Sequence, residues 1–293
     1  MKDLDEALDK HRRAGKILAE VKNKAKGKVI VGGKLLDVAE FIESEILKSG
    51  AEPAFPCNIS IDDVAAHATP EKNDEQVFEE GMVVKIDLGA HIDGYIADTA
   101  FTVDLGDHPE LVEASRKAVE NAVEIIHAGV NTSEIGAVIE DTINSFGFKP
   151  VANLTGHGLS RYTQHAPPSI PNVRHHHGTE LKAGDVIAIE PFATDGIGRV
   201  GDKGKTEIYS FTTSKPIRSR HARELLNLIS PYKTLPFAKR WIDMKRLDLA
   251  LRELERAKIL HGYPILKEVG GGTISQAEET MIVMEEGCEV ITV

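Results

Sequence analysis

At 293 residues, with 41% apolar and 28% charged side chains, the chain has the make-up of a soluble globular protein and the length for a substantial core. A formal net charge of -11 argues against the basic face that nucleic-acid binders carry, so no nucleic-acid partner is expected. Cys57 and Cys288 supply neither a disulfide framework nor a CxxC zinc pattern, and no run of about 18 apolar residues occurs. Free thiols, a cytoplasmic location and no membrane partner are the expectations.

The spacing of Leu4, Ala7, Leu8, Ala14, Ile17, Leu18 and Val21 predicts a helix over about 3–24. A second follows at about 34–49, on Leu35, Val38, Ala39, Ile42, Ile46 and Leu47, with a stop at Gly50. Residues through Pro70 read as loop broken by short apolar pieces. Gly81–Gly89 reads as a buried strand, and a turn near Gly94 leads into a second strand over 96–103. Helices are expected at about 109–127 and 132–146. Residues 217–262 are charged and helical, and the chain closes on strands at 280–284 and 288–293.

The second half echoes the first. Gly32, Glu43, Gly50 and Pro53 match Gly129, Glu140, Gly147 and Pro150; His67 matches His165, and Gly81 with Asp87 matches Gly184 with Glu190. Their order and near-constant shift predict two copies of one α/β unit facing each other around a pseudo-twofold axis. Asp87 and Glu190 would then meet from opposite sides. Chance glycine punctuation is the rival explanation.

Five residues at or near the ends of apolar runs are candidate metal ligands: Asp87, Asp98, His157, Glu190 and Glu278. Four carboxylates and one imidazole suit a pair of divalent ions better than a structural zinc. Each has a plainer reading. Asp87 could be a turn former, His157 a flexible loop histidine between glycines, and Glu278 part of a surface turn with Glu279. Asp98, inside an apolar segment, needs a partner if buried. The run His175-His176-His177 reads as a solvated turn.

Several segments resemble the methionine aminopeptidases. They are Ala54–Ser60 leading to Ala65–Pro70, Lys85–Gly89, Ala97–Ala100, Asn153–Gly158, Ala188–Phe192 and Gln276–Glu278, and the likeness runs from about residue 5 to the C-terminus. Phe237-Ala238-Lys239-Arg240-Trp241 resembles the type 2 form, and the lack of a long basic N-terminal extension is similar to its archaeal branch.

The resemblance implies the pita-bread fold, an α/β (α+β) domain of two pseudo-symmetric units with a curved antiparallel sheet. That domain would comprise 1–216 and 263–293, with 217–262 as an inserted helical subdomain. It implies that Asp87, Asp98, His157, Glu190 and Glu278 hold two divalent ions (Co, Mn, Fe(II) or Zn), bridged by Asp98 and Glu278. A metal-bridging hydroxide would attack the first peptide carbonyl, with Glu190 as proton shuttle. His67 and His165 would contact the scissile amide and its carbonyl. Phe55, and Ile208 by its position after Glu190, are the expected walls of a methionine pocket. The substrate would be the N-terminus of a nascent polypeptide with a small second residue, met near the ribosome by a monomer.

Two departures stand out. Glu279 replaces a histidine common in related chains, and Gln164 replaces an apolar pocket residue. The alternatives are an Xaa-Pro aminopeptidase or prolidase of the same fold, whose chains typically carry a further N-terminal domain, and a non-catalytic pita-bread binding protein, whose relatives lose metal ligands.

Overall fold

The computed structural model describes residues 2–293. The chain begins with α1 (Lys2–Lys26) and α2 (Leu35–Lys48), each amphipathic as the apolar spacing predicts. Next come β1 (Glu52–Ile61) and β2 (Val64–Ala66), in the stretch expected to be loop. The difference has a physical reason. Pro53 and Pro56 interrupt the local strand signal, and β1 is buried on both faces, so no period-two alternation marks it.

Strands β3 (Val83–Ile92) and β4 (Tyr95–Asp104) form the expected hairpin, followed by α3 (Pro109–Ile125) and α4 (Thr132–Ser145). The second half continues with β5 (Lys149–Pro150), β6 (Thr155–Ser160), β7 (Thr163–Pro171), β8 (Val186–Ile189), β9 (Phe192–Thr194) and β10 (Val200–Phe211). Helix α5 (Arg220–Ile229), β11 (Phe237–Ala238), α6 (Leu247–Arg256) and β12 (Leu260–Glu268) come next. The chain ends with β13 (Ile274–Gln276), β14 (Glu279–Val283) and β15 (Cys288–Val290). Residues 238–241, expected to be helical, are instead the end of β11 and one 3-10 turn, because Ala238 pairs with Ile208 across to β10.

In the first half β3 lies between β1 and β4; in the second, β8 lies between β6 and β14, and both sets are antiparallel. Reciprocal backbone hydrogen bonds between Ala100 and Glu278, at 3.2 and 3.0 Å, join β4 to the residue leading into β14. The two sheets therefore run on as one curved antiparallel surface. Helices α1 and α2 bury Leu18, Ile42 and Ile46 against Ile86, Leu88 and Ile96 of the first half. Helices α3 and α4 bury Leu111, Ile135 and Ile139 against Ile187, Ile189 and Met281 of the second.

Backbone conformation supports the duplication read from the sequence. Gly32 and Gly129 have φ of +83° and +94°, Gly50 and Gly147 +82° and +83°, and Gly81 and Gly184 +92° and +91°. These values lie in the left-handed region, where a side chain is strained, so each matched glycine meets the same requirement in both copies. The copies differ where β9 to β13 intervene in sequence between β8 and β14. There, Leu225, Phe237, Leu251 and Leu254 pack with Tyr209 and Leu260 as a separate apolar cluster. Among the described residues, no helix is long and apolar enough to cross a membrane.

Candidate metal centre

The β3–β4 register sets Asp87 opposite Ala100 and Gly89 opposite Asp98. Side chains alternate along a strand, so both carboxylates emerge on one face, two rungs apart. On the other side of β3, Phe55 pairs with Gly89. A Cβ on Gly89 would lie 2.2 Å from the Phe55 ring, so the bare backbone there leaves room for that ring beside the carboxylates.

His157 lies on β6, not in a flexible loop. A Cβ on Gly156 would lie 2.4 Å from the Ala188 carbonyl oxygen, and one on Gly158 would lie 2.2 Å from that of Pro167. These glycines let β6 pack tightly between β7 and β8. Glu190 follows β8, and Glu278 precedes β14. The buried Asn172 amide donates to the carbonyls of Leu154 and Glu190, both at 3.1 Å, tying the approach to β6 to the end of β8.

The two halves converge. Ligand atoms of Asp98, His157 and Glu278 all lie within 4.8 Å of one another. His157 Nε2 is 3.5 Å from Glu190 Oε1 and 3.8 Å from Asp98 Oδ2. On its other side, His157 Nδ1 is 3.2 Å from the Gly158 carbonyl oxygen, which can only accept, so Nε2 turns its lone pair to the carboxylates.

Asp87, Asp98, His157, Glu190, Glu278, His67, His165, Phe55 and Ile208 all line one cavity of about 240 Å³. The ring of His165 meets that of His157 edge-on at 4.6 Å. His67 has a left-handed backbone, φ +64°, and its Nδ1 lies 3.2 Å from the Pro264 carbonyl oxygen. His175, His176 and His177 are exposed and do not line the cavity.

The cavity also takes in residues that the sequence did not suggest, among them Tyr263, Leu266, Phe192 and Pro236. Tyr263 sits edge-on to His67 with ring centroids 5.3 Å apart, and its hydroxyl is 3.0 Å from Ser210 Oγ. It comes from β12, whose place beside β2 and β10 depends on long-range pairing, and no local pattern announces that. Gln164 Nε2 reaches Asp98 Oδ2 at 3.4 Å.

The electrostatics of the cavity are those of acids without cations. None of its lining residues is lysine or arginine. Burial raises the pKa of Asp87 to about 7, against a smaller opposing effect of Gln276. Asp98, Glu190 and Glu278 are pushed well above the carboxylate range, first by burial and then by neighbouring carboxylates, Asp87 acting on all three. Burial and the neighbouring His165 depress His157 to about 3, so its imidazole is neutral and free to ligate. Burial and His67 also lower His165, although its ring stays open to the cleft.

Asp87 Oδ1, Asp98 Oδ1 and Glu278 Oε1 are buried with no hydrogen-bond partner. Such orphaned acceptors are costly unless something positive meets them. Several carboxylate oxygens and one imidazole nitrogen form the donor set of divalent cations such as Mn, Fe(II), Co or Zn, so the residues fit a metal centre.

The model of "Metallopeptidase family M24" matches residues 9–219. A methionine aminopeptidase of Archaeoglobus fulgidus is 54% identical over 289 residues, which span 98% of this chain and 99% of that one. A solved structure of a thermophilic Arx1 has a TM-score of 0.87 at 16% identity, over 98% of this chain and 90% of that one. A methionine aminopeptidase structure from Thermotoga maritima has a TM-score of 0.73 at 24% identity, over 98% and 96%. These two likenesses speak for the shared pita-bread fold. The chain belongs to metallopeptidase family M24 and, within it, to the methionine aminopeptidases.

Proposed function

We propose that Asp87, Asp98, His157, Glu190 and Glu278 would hold two divalent ions in a metallo-aminopeptidase that removes N-terminal methionine. One observation carries this reading. Three orphaned carboxylate oxygens and the lone pair of His157 converge on a cavity lined by no lysine or arginine. Divalent ions bound there would supply Lewis acidity and an acidified water at neutral pH.

The chain's own residues do the rest. With ions bound, a free peptide N-terminus would have an amine lone pair to offer them, which an internal amide lacks. Glu190, raised in pKa and 3.5 Å from His157, shuttles a proton to the leaving amine. With its Nδ1 proton given to the Pro264 carbonyl, His67 presents an Nε2 lone pair that accepts from the scissile N–H. His165, at the open side, donates to the carbonyl oxygen as charge develops on it. Phe55 and Ile208, both buried, are the apolar walls for methionine, and the small volume of the cavity favours a small second residue.

On this reading the chain acts as a cytoplasmic monomer on nascent polypeptides close to the ribosome. Residues 217–262 form an insertion into a catalytic domain of 1–216 and 263–293. Its own apolar cluster supports the division, and Pro236 brings the insertion to the cavity wall. The ions are drawn from Co, Mn, Fe(II) or Zn, with cellular availability deciding among them.

The test is hydrolysis of Met-Ala-Ser and Ala-Pro-Ala by metal-loaded protein, with and without chelator. Chelator-sensitive release of methionine from the first is expected. Cleavage of the second alone would assign a proline-directed peptidase, and cleavage of neither would assign a binding protein.

A further inference from the structure

Behind the metal centre, on the face away from the cavity, lies a buried ion pair that the chemistry above does not use. Lys22 of α1 reaches Glu279 Oε1 at 2.7 Å and Thr99 Oγ1 at 3.2 Å. The two charged side chains are 7% and 20% exposed, far below a surface pair. Their position follows from strand alternation. Asp98 faces the cavity, so Thr99 faces the back; Glu278 faces the cavity, so Glu279 faces the back.

A closed ring of bonds links these positions. The Thr280 hydroxyl accepts from Asp98 N at 2.8 Å and donates to the Asp98 carbonyl at 2.7 Å. Thr280 N donates to Thr292 Oγ1 at 3.0 Å, and the Thr292 hydroxyl donates to Glu279 Oε2 at 2.5 Å. Glu279 accepts from Lys22, Lys22 donates to Thr99, and the Thr99 hydroxyl donates to the Glu278 carbonyl at 2.7 Å. Thr99, Thr280 and Thr292 are fully buried, so no water replaces these partners. The only full charges in the ring are Lys22 and Glu279, and a hydrogen bond between charges is its strongest link.

We propose that Lys22 and Glu279 are positioning residues of the metal centre, which hold β4 and β14 so that Asp98 and Glu278 present their carboxylates to a common point. The pair also keeps Glu279 from adding an unpaired negative charge beside the ligands. The proposal rests on the reading that Asp98 and Glu278 bind the ions.

The experiment is calorimetric titration of the full-length, metal-stripped protein with Mn²⁺, with Tm and the visible spectrum of the Co²⁺ form as companions. Glu279→Gln, which is isosteric, and Lys22→Met are each expected to weaken Mn²⁺ binding about 10–100-fold and to alter the Co²⁺ bands. The double variant should bind no more weakly than the worse single one, because the two act as one unit. A fall in Tm with wild-type Kd and a wild-type Co²⁺ spectrum would reduce the pair to a structural tie and overturn the proposal. If Lys22→Met does not fold, Glu279→Gln decides alone. Asp98→Asn separates the two levels. If it binds Mn²⁺ like the wild type, the metal-centre reading itself fails. If it loses binding while Glu279→Gln keeps it, only the positioning role fails.

Discussion

The two halves build the same three-stranded unit but deliver their acids differently. In the first half, Asp87 and Asp98 sit on one continuous hairpin, joined by a two-residue turn at Asp93-Gly94. In the second, His157 lies on β6, Glu190 just after β8 and Glu278 just before β14, and β8 pairs with β14 across the intervening β9 to β13 of the sequence. A local hairpin fixes the spacing of its carboxylates through its own register. The second half relies on longer-range ties: the Asn172 amide for Glu190, and for Glu278 the threonine and Lys22–Glu279 ring, which joins it to Asp98 of the first half. Duplication therefore supplies the frame of the centre, and long-range contacts supply its precision.

The strongest test of that comparison removes one acid from each half. Asp98→Asn and Glu278→Gln should each lower kcat/KM by on the order of 10³, since lost metal chemistry is worth several kcal/mol. A large loss in one half and a small loss in the other would break the claim of a shared centre. His165→Ala should lower kcat by about 10²–10³ and leave metal Kd unchanged, as expected for a donor to developing charge. Near-normal turnover would remove it from the reaction.

The acids also predict a pH signature. Their folded pKa values lie above those of the unfolded chain, Asp87 at about 7. In metal-free protein they contribute stability that is full below pH of about 4 and is lost as pH rises through about 7. His157, depressed to about 3, works in the opposite direction, but its effect is exhausted above about pH 6.5. The Tm of stripped protein should therefore fall from pH 6.5 to 8.5, and saturating Mn²⁺ should abolish the fall. A flat metal-free profile would contradict the buried-acid account.

A smaller contrast lies in the glycines. Gly156→Ala meets a backbone carbonyl that cannot step aside, and should cost about 1–3 kcal/mol, read as a lower Tm. Gly89→Ala meets the Phe55 ring, which can move, and should act mainly on the methionine pocket, with kcat/KM down on the order of tenfold. Equal Tm losses would remove the distinction between the two sites.

Legibility in the sequence follows the same division. The paired strands around Asp87 and Asp98 are locally encoded, and the repeat tied Asp87 to Glu190 through glycines whose backbone angles match. His157 is ambiguous in the sequence because its glycines answer to carbonyls of Pro167 and Ala188, which only strand pairing brings against them. Strand β1, which carries Phe55, was hidden by its prolines and its two-sided burial. The grouping of the four acids and one imidazole, and the places of His67, His165, Phe55 and Ile208, rest on resemblance and not on periodicity. Tyr263 and the ring behind Glu278 depend on partners that only the folded chain brings together.

The most direct measurement is anomalous diffraction from crystals of the protein loaded with Mn²⁺. Two peaks are expected in the cavity, between Asp87 and Asp98 on one side and His157, Glu190 and Glu278 on the other, with Asp98 and Glu278 touching both. A single ion, an empty cavity, or density only at exposed sites such as His175–His177 would contradict a dinuclear centre built by both halves.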